Sequence, residues 1–220
     1  MFRRKLKALF NKGIRPHFSQ NGEDILIRHY LRNIKIGSYF DLGAYDPFKL
    51  SNTAILWAEG WSGCNVDANP ASIKKFDSIR PNDVNICAAI VTKEEKLEGK
   101  NKLTFYVDGG DSSQQSARGS ILQTKREQTP IVVDTLSLEQ VWLASGLKEV
   151  DYLNVDLEGY DERVINEFDR DLFSPKVITV EDHKSCLDEV LASPITQKLE
   201  AEGYHLVGRS LMTSVFAAVN

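Results

Sequence analysis

Short apolar runs of strand length alternate with polar stretches of helical spacing from residue 38 to residue 183 of this 220-residue chain. SYFDLGA (38–44), CNVDANP (64–70), NICAAIV (85–91), IVVDTL (131–136), VDYLNVDLEG (150–159) and KVITVEDH (176–183) read as strands. NTAILWAEG (52–60), ASIKKFDSIRP (71–81), SLEQVWLASG (137–146) and YDERVINEFDRDLF (160–173) read as the helices between them. Such alternation demands parallel strands joined by right-handed crossovers, hence an α/β layered sheet. SQNGEDILIRHYLRN (19–33) adds a leading helix with Ser19 as its expected N-cap, and KLTFYVD (102–108) reads as an edge or hairpin strand. SCLDEVLASPITQKLEAEG (185–203) continues as helix broken near Pro194, and the chain closes on a hairpin turning around Arg209, Ser210 and Leu211. With no second core, repeat or Pro-rich linker, one domain over 19–220 is expected, carrying a basic arm over 1–18.

That arm, MFRRKLKALFNKGIR, has six basic residues and no acid before Glu23. It reads as a basic amphipathic helix, either packed on the domain or lying on an anionic membrane surface. The whole chain has a net charge of −4, which gives no general attraction to nucleic acid. No apolar run reaches the roughly 18 residues that span a bilayer. Three cysteines (Cys64, Cys87 and Cys186) show no paired spacing, so they are expected to be buried free thiols. A reducing cytoplasm fits them best, and the arm allows contact with the inner face of the membrane.

In an open α/β sheet, ligands bind beyond the carboxyl ends of the strands. Here those ends carry acids: Asp41, Asp67, Asp156 with Glu158 nearby, and Glu181-Asp182-His183. So much negative charge on one rim calls for a cationic or hydrogen-bond-donating ligand. The loop after Asp41 has a single glycine, Gly43, where dinucleotide folds use G-x-G-x-x-G, and Asp46 would repel a pyrophosphate. Asp41 can accept from an ammonium, and backbone groups near Gly43 can meet a carboxylate. Asp67, 24 positions after Gly43, stands where an acid reaches ribose hydroxyls. An amino-acid end joined to a ribose through a sulfonium is S-adenosylmethionine.

Seven segments carry a family resemblance in order: SQNGED (19–24), FDLGAYDPFKLSNT (40–53), GWSGCNVDANP (60–70), SIRP (78–81), VDTLSLEQV (133–141), YLNVDLEGYDERVI (152–165) and ITVEDH (178–183). Together they resemble the FkbM-type methyltransferases, a branch of the class I S-adenosylmethionine-dependent enzymes. The resemblance implies a Rossmann-like, mostly parallel seven-stranded sheet with helices on both faces and an antiparallel C-terminal hairpin. It implies that Asp41, Gly43 and Ala44 line the methionine end, that Asp67 holds the ribose, and that Ala68 and Asn69 border the adenine. Ser51, Asn52 and Thr53 read as helix-capping and loop-fixing groups, with Asn52 also a cofactor contact.

The acceptor class, a hydroxyl of a sugar, glycan or glycolipid precursor, comes from the resemblance alone. A polyketide-like natural product is the alternative within the family. A nicotinamide-dependent oxidoreductase and a non-catalytic binding module are the rival classes. An acceptor hydroxyl needs a base, for which His183, Asp156 and Glu158 are candidates. Ser113 and Arg118, in the polar stretch 109–130, and Glu181 are expected at the acceptor. A divalent cation would have Asp156, Glu181 and His183 as ligands.

Overall fold

The computed structural model describes residues 17–108, 119–120 and 128–218. In chain order these form α1 (Glu23–Leu31), β1 (Ser38–Leu42), α2 (Ala54–Ala58), β2 (Ser62–Asp67), α3 (Pro70–Ile79), β3 (Val84–Cys87) and β4 (Ala89–Ile90). Next come α4 (Lys93–Leu97), β5 (Lys102–Asp108), β6 (Gly119–Ser120), β7 (Gln128–Leu136), α5 (Leu138–Ser145), β8 (Tyr152–Val155) and α6 (Asp161–Asn166). The chain continues through β9 (Val177–Glu181), α7 (Leu187–Leu191), α8 (Pro194–Ala201), β10 (Tyr204–Ser210) and β11 (Thr213–Ala218).

The main sheet has seven strands in the order β10-β11-β9-β8-β1-β2-β3. Pairing is parallel from β9 through β3, and β11 runs antiparallel to both β9 and β10. This is the Rossmann-like arrangement with a reversed last strand that the resemblance implies. Strands buried on both faces read as near-continuous apolar runs, and the alternation within them fills two cores. Phe40, Leu42, Leu153, Val155, Ile178 and Val180 pack one face against Val141, Trp142 and Leu199 from α5 and α8. Tyr39, Tyr152, Val177 and Val215 pack the other against Ile27 and Leu31 of α1 and Leu56 of α2. The chain order reverses between β1 and β8, which opens the crevice where such folds bind ligands.

A second, four-stranded sheet, β4-β7-β5-β6, was not anticipated. NICAAIV does not form one strand. β3 pairs with β2, Ala88 donates its N–H to Asp67 O (3.1 Å), and β4 then pairs with β7. The segment therefore changes sheets at Ala88. KLTFYVD pairs antiparallel with β7 along its whole length, from Lys102↔Asp134 to Asp108↔Gln128. A small cluster of Ala68, Ala89 and Val133, with Phe105 and Ile131 against it, seats the second sheet on the first.

Local corrections follow from capping. α1 begins at Glu23 behind Gly22 (φ 87°), and Ser19 sits in the preceding turn. The helix expected over 160–173 is α6 alone, ending at Asn166. α4, opened by a Thr92–Glu95 capping box, is a helix that the strand–helix alternation does not include. Cys64 is buried, but Cys87 and Cys186 are exposed, contrary to expectation. No helix among the described residues is long and apolar enough to cross a membrane. The basic arm up to residue 16 lies outside the described residues.

Candidate functional site

A cavity of about 330 Å³ opens at the carboxyl ends of β1, β2, β8 and β9. The sequence candidates Asp41, Gly43, Ala44, Asn52, Asp67, Ala68, Asp156, Glu158, Glu181 and His183 all line it. Asn69 is not among the lining residues; its Oδ1 accepts from Ala71 N–H (2.9 Å) and caps α3. Ser113 and Arg118 fall outside the described residues.

Asp41 sits at the floor, in register with Asn65 of β2 and Asn154 of β8. Its Oδ1 accepts from Asn154 Nδ2 and its Oδ2 from Thr53 Oγ1, both at 2.8 Å. Burial raises its pKa, against the lowering effect of these two donors. Asn154 in turn accepts from Thr179 Oγ1 (2.7 Å) and Asn52 Nδ2 (3.0 Å), so a polar row crosses the sheet beneath the pocket. Thr53, expected as a helix cap, makes no side-chain cap bond and serves Asp41 instead.

The loop after β1 corrects the reading of Gly43. Its φ of +84° suits glycine, and an added Cβ would lie 1.7 Å from Asp156 O. The missing side chain makes room for neighbouring backbone rather than for a ligand. The N–H groups expected to meet a carboxylate are also engaged. Gly43 and Ala44 both donate to Val66 O (2.9 and 3.0 Å), and Tyr45 donates to Asp67 Oδ2 (2.9 Å).

Asp67 ends β2 with Oδ1 accepting from Asn69 N–H (2.7 Å) and Oδ2 from Tyr45 N–H. Burial pushes its pKa up to about 6 despite those amides, so it is largely ionised at neutral pH. Two bonded oxygens still leave a carboxylate acceptor capacity for a diol. Beside it, Ala68, Ala88, Ala89, Ile90 and Phe105 form an apolar wall, the last contributed by the second sheet.

Opposite stand the β8 and β9 ends. Burial, then the charge of Glu181, raises the Asp156 pKa well above the usual carboxylate range. His183 Nε2 lies 3.2 Å from Glu181 Oε2, with the imidazole itself exposed. The turn carrying Glu158 is held by Asp161, whose carboxylate accepts from Leu157 N–H (2.7 Å) and Gly159 N–H (2.9 Å). A divalent cation at Asp156, Glu181 and His183 finds no support: among the described residues, no group of three or more such side chains is arranged to hold a metal ion.

Tyr45 (φ 57°), Leu50 (φ 56°) and Glu158 (φ 51°) are left-handed without being glycine, and all three line the cavity. Each such residue costs about 1–2 kcal/mol, a strain that tends to gather at functional sites.

Sequence reasoning missed Arg80, which is almost wholly buried. Its guanidinium donates to Pro47 O, Thr53 Oγ1 (2.9 Å), Tyr39 Oη (3.3 Å) and Ser51 Oγ (3.4 Å), fixing the loop above Asp41. Its presence in SIRP was the one signal. Gln20 and Met212, from segments on either side of the expected motifs' core, also line the cavity.

Comparison with known proteins gives three results. A family model described as the methyltransferase FkbM domain matches residues 41–206. No curated protein sequence matches the chain. Among solved structures, wild-type Trm5b from Pyrococcus abyssi is similar at 13% identity and a TM-score of 0.40, covering 91% of this chain and 48% of that one. The chain thus spans about half the length of that protein.

Proposed function

The chain belongs to the FkbM methyltransferase family, and on that premise we propose that it methylates a hydroxyl of a sugar, glycan or glycolipid precursor, with S-adenosylmethionine as donor. The observation that carries this reading is the placement of Asp67. It is an ionised acceptor at the end of β2, beside the apolar wall of Ala68, Ala88, Ala89 and Phe105 and across the pocket from His183. That order, apolar slot, then diol acceptor, then base, suits an adenine, a ribose and a methyl-accepting oxygen. The bound donor supplies an electrophilic methyl group on a positively charged sulfur.

His183 takes the proton from the acceptor hydroxyl as the oxygen attacks the methyl carbon and the carbon–sulfur bond breaks. Glu181 lies beside the imidazole, its Oε2 3.2 Å from His183 Nε2. Asp156 and Glu158 border the acceptor. Asp41 steadies the methionine end from the floor.

Asp67→Ala should weaken S-adenosylhomocysteine binding about 10–100-fold in titration calorimetry, the loss of one or two hydrogen bonds to a charged group. His183→Ala should leave that affinity within about twofold. It should slow methyl transfer to a responsive glycan extract by about 100-fold or more. If both variants match the unaltered chain, the site is misplaced. If NAD binds tightly and S-adenosylhomocysteine does not, the oxidoreductase reading replaces this one. Transfer to polyketide-like alcohols but to no glycan would select the alternative acceptor.

With six basic residues among its first fifteen, the N-terminal arm suits the anionic inner face of the membrane from the cytoplasmic side, where a lipid-linked acceptor would be met. Deleting residues 1–15 should abolish sedimentation with phosphatidylserine vesicles, and unchanged sedimentation would remove this part of the reading.

A further inference from the structure

The SQNGED motif lies outside the matched span 41–206, and the site as described assigns it no role. In the structure, residues 18–23 run across the pocket mouth as a strap. On one side, Ser19 bridges to Leu50, and Ser51 N–H donates to Phe18 O (3.1 Å). On the other, Ser210 Oγ donates to Asn21 O (2.6 Å) and Thr213 Oγ1 to Glu23 Oε1 (3.3 Å).

Most of the motif shapes this strap. Asp24 is buried and accepts from Phe18 N–H (2.7 Å) and Ser19 Oγ (3.1 Å). Glu23 accepts from Asn21 N–H (2.9 Å), and Gly22 supplies the left-handed turn, its N–H donating to Ser19 Oγ (3.1 Å). Gln20 is the exception. It lines the cavity, and its side chain makes no hydrogen bond among the described residues.

Asn52, two positions beyond the Leu50 bridge, also lines the cavity, and its buried Oδ1 has no hydrogen-bond partner among the described residues. The nearby N–H groups of Gly43, Ala44 and Tyr45 are engaged within the protein, so a ligand's carboxylate must find donors elsewhere. An amino-acid zwitterion needs both donors and acceptors at its charged end.

We propose that Gln20 and Asn52 grip the amino-acid end of the methyl donor: the Gln20 carboxamide donates to its carboxylate, and Asn52 Oδ1, with Asp41 behind it, accepts from its ammonium. The inference rests on the donor reading above and adds a residue outside the matched domain to the binding site. The strap then holds one donor-binding group in place, and its remaining polar residues are the fixture.

Calorimetric titration of the full chain with S-adenosylhomocysteine and with 5′-methylthioadenosine tests it, since the second ligand keeps the adenosine and lacks the amino-acid end. Gln20→Ala should lose about 10-fold in affinity for S-adenosylhomocysteine and nothing for methylthioadenosine. Gln20→Glu, which sets a carboxylate against a carboxylate, should lose more for the first and again nothing for the second. Wild-type affinity of Gln20→Ala for S-adenosylhomocysteine overturns the inference, as does an equal loss for both ligands, which would mark a distorted strap. If the unaltered chain binds neither ligand, the donor reading falls and takes this inference with it.

Discussion

Gly43→Ala should be among the most damaging single-atom additions the chain can receive. The residue sits at φ +84°, and the new Cβ would lie 1.7 Å from Asp156 O and 2.8 Å from the same residue's carbonyl carbon. Both sides of that clash are main chain. Gly43 N–H is bonded to Val66 O and Asp156 N–H to Leu42 O, each at 2.9 Å, so relief requires β1 and β8 to part at the sheet's centre. Left-handed strain adds about 1–2 kcal/mol to the cost of the broken ladder. We expect a total of at least about 4 kcal/mol, hence a Tm lower by about 8–16 °C, with no measurable S-adenosylhomocysteine binding. Gly60→Ala is the control. Its φ is +96°, but the added Cβ meets nothing within 4 Å, so it should suffer only the strain. Thermal denaturation of the two variants side by side decides the matter, and a Gly43→Ala Tm within 2 °C of the unaltered protein would refute the packing argument.

Arg80 carries the second large effect. No charged partner forms a salt bridge with it among the described residues, and it is held by neutral oxygens and by the rings of Phe76, Trp57 and Tyr39, at 5.0, 5.5 and 5.8 Å from the guanidinium carbon. Asp41 lies beyond Thr53, which accepts from Arg80 and donates to the carboxylate. Arg80→Met keeps the volume but removes the donors and takes from Pro47 O the hydrogen bond that Arg80 supplies. Losing one member of such a buried network costs about 3–5 kcal/mol. Arg80→Lys should fare little better, because an ammonium is not a planar fork reaching several acceptors at once. Both variants should melt about 6–20 °C lower and bind S-adenosylhomocysteine more weakly, as the 47–53 loop is released. A lysine variant indistinguishable from the original would show that charge alone suffices there.

The sequence displays the acid rim and the alternation because both are local. Asp41, Asp67, Asp156 and Glu181 each close an apolar run, and a parallel sheet sends all such ends to one side. Three features depend on long-range contacts and leave weaker traces. NICAAIV looks like one strand because periodicity does not record which sheet a residue joins, and only the Ala88–Asp67 bond reveals the change. Arg80 looks like an ordinary residue at a helix end, since its side-chain acceptors are 15 to 41 positions away in sequence. Gly43 is legible as a glycine the fold requires, but the reason, the Asp156 carbonyl, comes from a strand more than a hundred residues later. Asn69 shows a second kind of claim on a polar residue beside a binding strand: its side chain caps the first turn of α3.

The position of β11 has a bearing on how the protein is made. It lies between β9 and β10, although it follows both in the chain. During vectorial synthesis, β10 therefore emerges with no neighbour to join, and that side of the sheet stays open until residues 213–218 clear the ribosome. Until then β9 exposes an unpaired apolar edge, the kind of surface that recruits chaperones or other nascent chains.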